Sequence, residues 1–80
     1  MTAETSRQQS VLLLARASAA IRARRQSLGL KQSEVAKAAR VSLRQYVTIE
    51  QGGNCTLATL ERIAVALDCA PASLLSPPQS

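Results

Sequence analysis

The chain has 80 residues, which suits one small domain, and its 14 alanines and 11 leucines stand against one aromatic residue and eight isoleucines plus valines. This composition favours close-packed helices and nearly excludes an all-β fold. The net charge is +5 and histidine is absent, which excludes histidine-based acid–base catalysis and most zinc sites, so we expect no enzyme, no cofactor and no metal site.

The first predicted helix spans residues 6–27, with Ser6 and Gln9 in capping-box spacing and Gly29 beyond its end. Its hydrophobic run at residues 11–14 spreads around most of the circumference at about 100° per residue, so one domain core cannot cover all of it. We expect this run to form an extra dimer contact or to pack on its own domain, and the alternative is a frayed hydrophobic helix. The run is too short to cross a membrane, and we expect no signal peptide.

Four shorter helices are predicted to follow. The second covers residues 32–39 and starts without a good cap because Lys31 holds that place. The third begins at Ser42 and ends at Gly52, and the fifth is a single turn at residues 71–75. The fourth, capped by Thr56 and running to residue 67, has the clearest apolar stripe. That stripe comprises Leu57, Leu60, Ile63, Ala64 and Leu67.

The charges are distributed unevenly. Residues 16–44 contain eight cations and one anion, whereas residues 45–80 contain one cation and three anions. A basic half in a small domain favours a polyanionic partner, either nucleic acid or an acidic membrane surface. The basic residues do not line one face of the hydrophobic first segment, which argues against the membrane surface.

Two cysteines, Cys55 and Cys69, lie at either end of the fourth predicted helix. A helix of that length separates them by roughly 20 Å, beyond the reach of a disulfide. We therefore expect free thiols and a cytoplasmic protein.

The short connection at residues 39–42 joins two short helices and makes a helix-turn-helix candidate. Tyr46 and Ile49, spaced by three, would fasten the third helix to the core. Its opposite face contains no anion and is therefore suited to a DNA major groove. That face comprises Leu43, Arg44, Val47, Thr48 and Gln51.

Three stretches, IRARRQSLGLKQSEVAKAARVS, LRQYVTIEQG and TLATLERIAVALDCAPASLL, are similar to a known family. Through them, residues 21–75 resemble the helix-turn-helix domain of the XRE family, which includes phage Cro and lambda-type repressors. The resemblance implies an all-α, compact five-helix, lambda-repressor-like domain at 21–75. A helical extension at 1–20 would lengthen its first helix, and 76–80 would form a tail.

The family's functional positions carry over onto matching residues, with Arg44 as the expected main base reader, bonding O6 and N7 of a guanine. The implied base-reading residues are Leu43, Arg44, Gln45, Val47 and Thr48. The implied phosphate contacts are Arg22, Lys31, Gln32, Ser42, Gln51 and Asn54. Arg25 and Glu50 match a structural ion pair. The expected dimer contacts are Val11, Leu14, Pro71, Leu74 and Leu75.

One position departs from the family pattern. Arg40 stands in the turn where the family usually has glycine. Either the backbone there is not left-handed or the arginine costs about 1 kcal/mol.

The resemblance implies a sequence-specific transcriptional regulator that binds double-stranded DNA as a homodimer on a palindromic operator. A phage-type repressor and a restriction-modification controller both fit a chain of this size. The alternative is an antitoxin-type autoregulator whose hydrophobic segment at residues 11–14 also binds a partner protein, the toxin.

Overall fold

The computed structural model describes residues 3–75, with the side chains of residues 14–74. Within this range the fold is all-α, as predicted, with five helices: α1 (Ala3–Ser27), α2 (Gln32–Ala39), α3 (Leu43–Glu50), α4 (Leu57–Ala66) and α5 (Pro71–Leu75). The predicted bounds of α2 and α5 are confirmed. The predicted start of the first helix at residue 6 was wrong, because α1 already includes Ala3. The predicted tail at 76–80 and the side chains of Val11 and Leu75 lie outside the described residues.

The core lies where all five helices converge. Its largest fully buried side chains are those of Tyr46, Ile21, Ile49, Ile63, Leu67 and Val35. Small residues fill the space where helices approach, since Ala36, Ala39 and Ala64 are all buried. Among the described side chains, the first buried one on α1 is that of Ala17.

Helices α1 to α4 end in the same way. A residue with left-handed backbone follows each of them: Gly29, Arg40, Gly52 and Asp68. The N–H of this residue donates to the carbonyl three residues back, and the next N–H donates to the carbonyl five residues back, which is the Schellman arrangement. Two of these four positions hold residues with a side chain, which disfavours the left-handed conformation.

Arginine side chains also bind exposed carbonyls at helix ends. Arg24 of α1 donates from Nε to the Leu67 carbonyl at 2.9 Å and from Nη2 to that of Asp68 at 3.1 Å. Arg62 of α4 donates from Nε to the Ala39 carbonyl at 3.0 Å. These carbonyls have no intrahelical partner, and a cation beside them also complements the helix dipole. Arg24 and Arg62 thus each join two elements of the fold.

Two predictions about apolar residues need correction. Leu57 is 68% exposed, so the apolar stripe of α4 begins at Leu60 instead. Leu74, predicted as a dimer contact, is 2% exposed and packs in the core of its own domain, because α5 lies against α1 and α4. Its side chain is therefore not available to a second subunit.

Candidate nucleic-acid interface

Helix α3 is fixed at its start by Ser42, whose backbone is extended (φ −67°, ψ 152°). The Ser42 Oγ accepts a hydrogen bond from the Gln45 N–H at 3.0 Å, which satisfies a free amide of the first turn. Tyr46 and Ile49 are buried, as their spacing predicts. Cap and core contacts together determine which face of α3 points outward.

The outward face of α3 brings the predicted base-reading residues together. Leu43 is 48% exposed, and Arg44, Gln45 and Thr48 are also exposed, whereas Val47 is half-buried. The Arg44 side chain makes no hydrogen bond or ion pair within the described part of the chain, so its guanidinium is free to bind a ligand.

The turn before α3 is left-handed at Arg40, with φ 61° and ψ 42°. The Arg40 N–H donates to the Lys37 carbonyl and the Val41 N–H to the Ala36 carbonyl, so the turn keeps the geometry that glycine would give it. Of the two alternatives left by the sequence, the arginine therefore occupies the unfavourable conformation. Val41 is half-buried against the core, as expected for a residue that plugs the turn.

The predicted Arg25–Glu50 pair is present and carries two hydrogen bonds. Arg25 donates from Nε to Glu50 Oε2 at 2.7 Å and from Nη2 to Oε1 at 3.2 Å. Burial by itself raises the pKa of Glu50, which is 2% exposed, but hydrogen bonds from Arg25 and Gln32 hold that pKa below its usual value. The same hydrogen bonding raises the pKa of Arg25. The carboxylate thus stays charged inside the fold.

Two of the predicted phosphate contacts, Arg22 and Gln32, make hydrogen bonds within the domain. The Gln32 side-chain amide donates to Glu50 Oε1 at 3.2 Å. Arg22 donates from Nη2 to the Glu50 carbonyl at 2.7 Å. Both side chains thereby tie α1 and α2 to the end of α3. The other four, Lys31, Ser42, Gln51 and Asn54, are exposed.

Sequence reasoning missed a further contact to α3. The Ser18 hydroxyl is buried and donates to the Ile49 carbonyl at 2.6 Å. A serine on the apolar side of α1 gives only a weak sequence signal, and its acceptor lies 31 residues away in the chain. The contact is nevertheless one of several that lock the C-terminal end of α3.

The Tyr46 hydroxyl lies beside the Arg25–Glu50 pair. Its oxygen is buried and has no partner in hydrogen-bonding geometry among the residues the structure describes. Burial and the adjacent Glu50 carboxylate raise the pKa of Tyr46, so the phenol stays protonated. The ring therefore acts as a neutral anchor for α3.

Cys55 and Cys69 are both free thiols, as expected, and both are half-buried. Burial raises the pKa of Cys55, which lowers its thiolate fraction and its reactivity.

A helix-turn-helix family model, of the XRE type, matches residues 21–74. The chain belongs to the XRE helix-turn-helix family. Its fold is similar to the crystal structure of a hypothetical transcription factor, NHTF, from Neisseria, with 31% sequence identity and a TM-score of 0.79. That similarity covers 84% of this chain and 78% of the Neisseria chain. A comparison with curated proteins gives no significant match.

Membership of the XRE family, together with the transcription-factor neighbour, supports a DNA-binding transcriptional regulator. Proteins of this type are generally not enzymes. Within residues 3–75, none of the helices is long and apolar enough to span a lipid bilayer.

Proposed function

We propose that this chain is a sequence-specific transcriptional regulator that binds a palindromic operator as a homodimer, with α3 of each subunit in the major groove. One observation carries the proposal. The only carboxylate of α3, that of Glu50, is buried and paired with Arg25, whereas the outward face carries a free guanidinium, an amide, a hydroxyl and apolar groups. Such a face repels no phosphate on approach and offers groups that match base edges.

Arg44 is the main base reader in this proposal. It lies in the first turn of α3, and its planar fork suits O6 and N7 of one guanine. Gln45 and Thr48 offer polar contacts to neighbouring bases, and Leu43 and Val47 offer apolar contacts to thymine methyl groups.

Phosphate contacts fall to exposed groups around α3. Ser42 Oγ already accepts from the Gln45 amide, so its hydroxyl hydrogen is available to donate to a phosphate oxygen. Lys31 is also exposed and immediately precedes α2, and the exposed Gln51 and Asn54 follow α3. Helix and loop groups of this kind position a protein on DNA without reading sequence.

The dimer contact is proposed on α5 and the N-terminal half of α1. Leu14 and Pro71 are half-buried, so each keeps surface for a second subunit, and Leu74 is removed from the predicted set because it is a core residue. Val11 and Leu75 remain proposed members. Two recognition helices about 10 base pairs apart then read the two operator half-sites.

Selection of bound DNA from a random pool, followed by sedimentation of the protein alone and on the selected site, tests the proposal. We expect a motif with two-fold symmetry and two subunits per site. Selection of no motif, or a monomer at tens of micromolar both free and on DNA, would contradict it. Co-purification of a second polypeptide that binds through residues 11–14 would favour the antitoxin alternative.

A further inference from the structure

Gly53 lies against the recognition helix, directly over Thr48. Its N–H donates to the Thr48 carbonyl at 2.9 Å. A Cβ atom at position 53 would lie 2.6 Å from Thr48 Cγ2 and 2.8 Å from the Thr48 carbonyl oxygen. Gly53 is not among the residues with positive φ, so lack of space, not backbone conformation, requires glycine here.

Thr48 is consequently held from two sides. Its Oγ1 donates to the Arg44 carbonyl at 2.9 Å, and its Cγ2 faces Gly53. The side chain of a β-branched residue has few rotamers, and these two contacts select one of them. The hydroxyl hydrogen is used inside the helix, whereas the lone pairs of Oγ1 on this exposed residue remain available.

We infer that Gly53 is a positioning residue that fixes Thr48 as a hydrogen-bond acceptor toward DNA, an inference that rests on the proposed function. In the major groove the amino groups of adenine and cytosine donate, whereas O6 and N7 of guanine and O4 of thymine accept. Thr48 therefore selects adenine or cytosine over guanine or thymine on the strand that it contacts. The loop after α3 contributes to base specificity without touching a base.

Gly52 provides a matched control in the same loop. Its φ of +98° disfavours any side chain, but a Cβ atom there would meet nothing within 4 Å. Gly52→Ala therefore strains its own backbone conformation without pressing on Thr48, whereas Gly53→Ala presses on the side chain and the carbonyl of Thr48.

The test compares the full chain with its Gly53→Ala, Gly52→Ala and Thr48→Val variants and the Gly53→Ala/Thr48→Val double variant, each selected on a random DNA pool. The position relaxed by Thr48→Val identifies the base that Thr48 reads. We expect the unaltered protein to prefer adenine or cytosine there by about 3- to 10-fold, the range of one hydrogen bond. Gly53→Ala should relax the same position although Thr48 is retained, the double variant should add nothing, and Gly52→Ala should keep the preference.

Three results would overturn the inference: a preference for guanine or thymine at that position, an unchanged motif for Gly53→Ala, or equal relaxation by the two glycine variants. Should Gly53→Ala fail to fold, nuclear Overhauser contacts in the unaltered protein bound to DNA decide instead. A contact between the Thr48 methyl and the Gly53 Hα is expected, and its absence counts against the inference. If the unaltered protein selects no DNA motif at all, the proposed function fails together with this inference. The three results named above, and the absence of the nuclear Overhauser contact, would overturn only the inference about Gly53.

Discussion

Arg25 of α1 holds Glu50 at the end of α3 through two hydrogen bonds of 2.7 and 3.2 Å, and the Glu50 side chain is almost completely enclosed. Gln32 of α2 donates to the same carboxylate. One buried anion therefore connects the three helices that set the position of the recognition face.

Removal of either partner should destabilise the domain. Arg25→Ala or Glu50→Ala should each lower the free energy of unfolding by about 2 to 4 kcal/mol, because an uncompensated buried charge remains. In urea denaturation, a double-mutant cycle should show coupling between the two residues. Arg22→Ala is the control, since Arg22 is half-exposed and 4.0 Å from the same carboxylate, and its loss should be smaller. A coupling energy within error of zero would show that the Arg25–Glu50 pair does not stabilise the fold.

Glu50 should make the domain sensitive to acid. Its pKa in the folded state lies below the usual value of 4.5, so the unfolded state binds more protons as the pH falls through this region. The stability that the pair contributes is fully present above about pH 4.5 and is lost progressively below it. Thermal melting between pH 7 and pH 3 measures this loss. In Glu50→Gln the acid-dependent decrease should be smaller, and an equal decrease would assign the effect to other carboxylates.

Arg40→Gly should stabilise the protein by about 1 kcal/mol, because glycine adopts the left-handed backbone without steric cost. Arg40→Ala is the control, since it removes the same charge and side chain but keeps Cβ. The two variants are compared by urea denaturation at neutral pH. If both give the same change, the effect arises from the side chain and not from the backbone.

Arg44→Ala should reduce binding to the selected operator by about 1 to 3 kcal/mol and relax preference at one position in each half-site. Lys37→Ala is the matched control, because Lys37 is also exposed and basic but lies at the end of α2. Fluorescence anisotropy across a salt series distinguishes the roles. A uniform loss on all sequences, with a salt slope reduced by about 1, would identify Arg44 as a phosphate contact.

Leu74→Ala should destabilise each subunit, with a loss of about 2 to 5 kcal/mol independent of protein concentration. Val65→Ala, at a site that is 77% exposed on α4, should have little effect. Chemical denaturation at two protein concentrations makes the measurement. If Leu74→Ala instead abolished the dimer and left the stability of each subunit unchanged, Leu74 would be a dimer contact and not a core residue.

Much of this protein was determined by local signals in its sequence. The capping residue Ser42 and the spacing of Tyr46 and Ile49 predicted α3 and its outward face. Helix starts and apolar periodicity depend on residues a few positions apart, so they are visible in one chain.

Tertiary structure decided the roles of the long polar side chains. Arg22, Arg24 and Gln32 lie in the basic half and all carry hydrogen-bond donors that could reach a phosphate, yet each binds a group 18 or more residues away. The left-handed backbone at Arg40, the burial of Leu74 and the approach of Gly53 to Thr48 likewise depend on how helices pack. A flexible side chain reaches many partners, and only the packed fold selects among them, because a buried carbonyl or carboxylate left without a donor is costly.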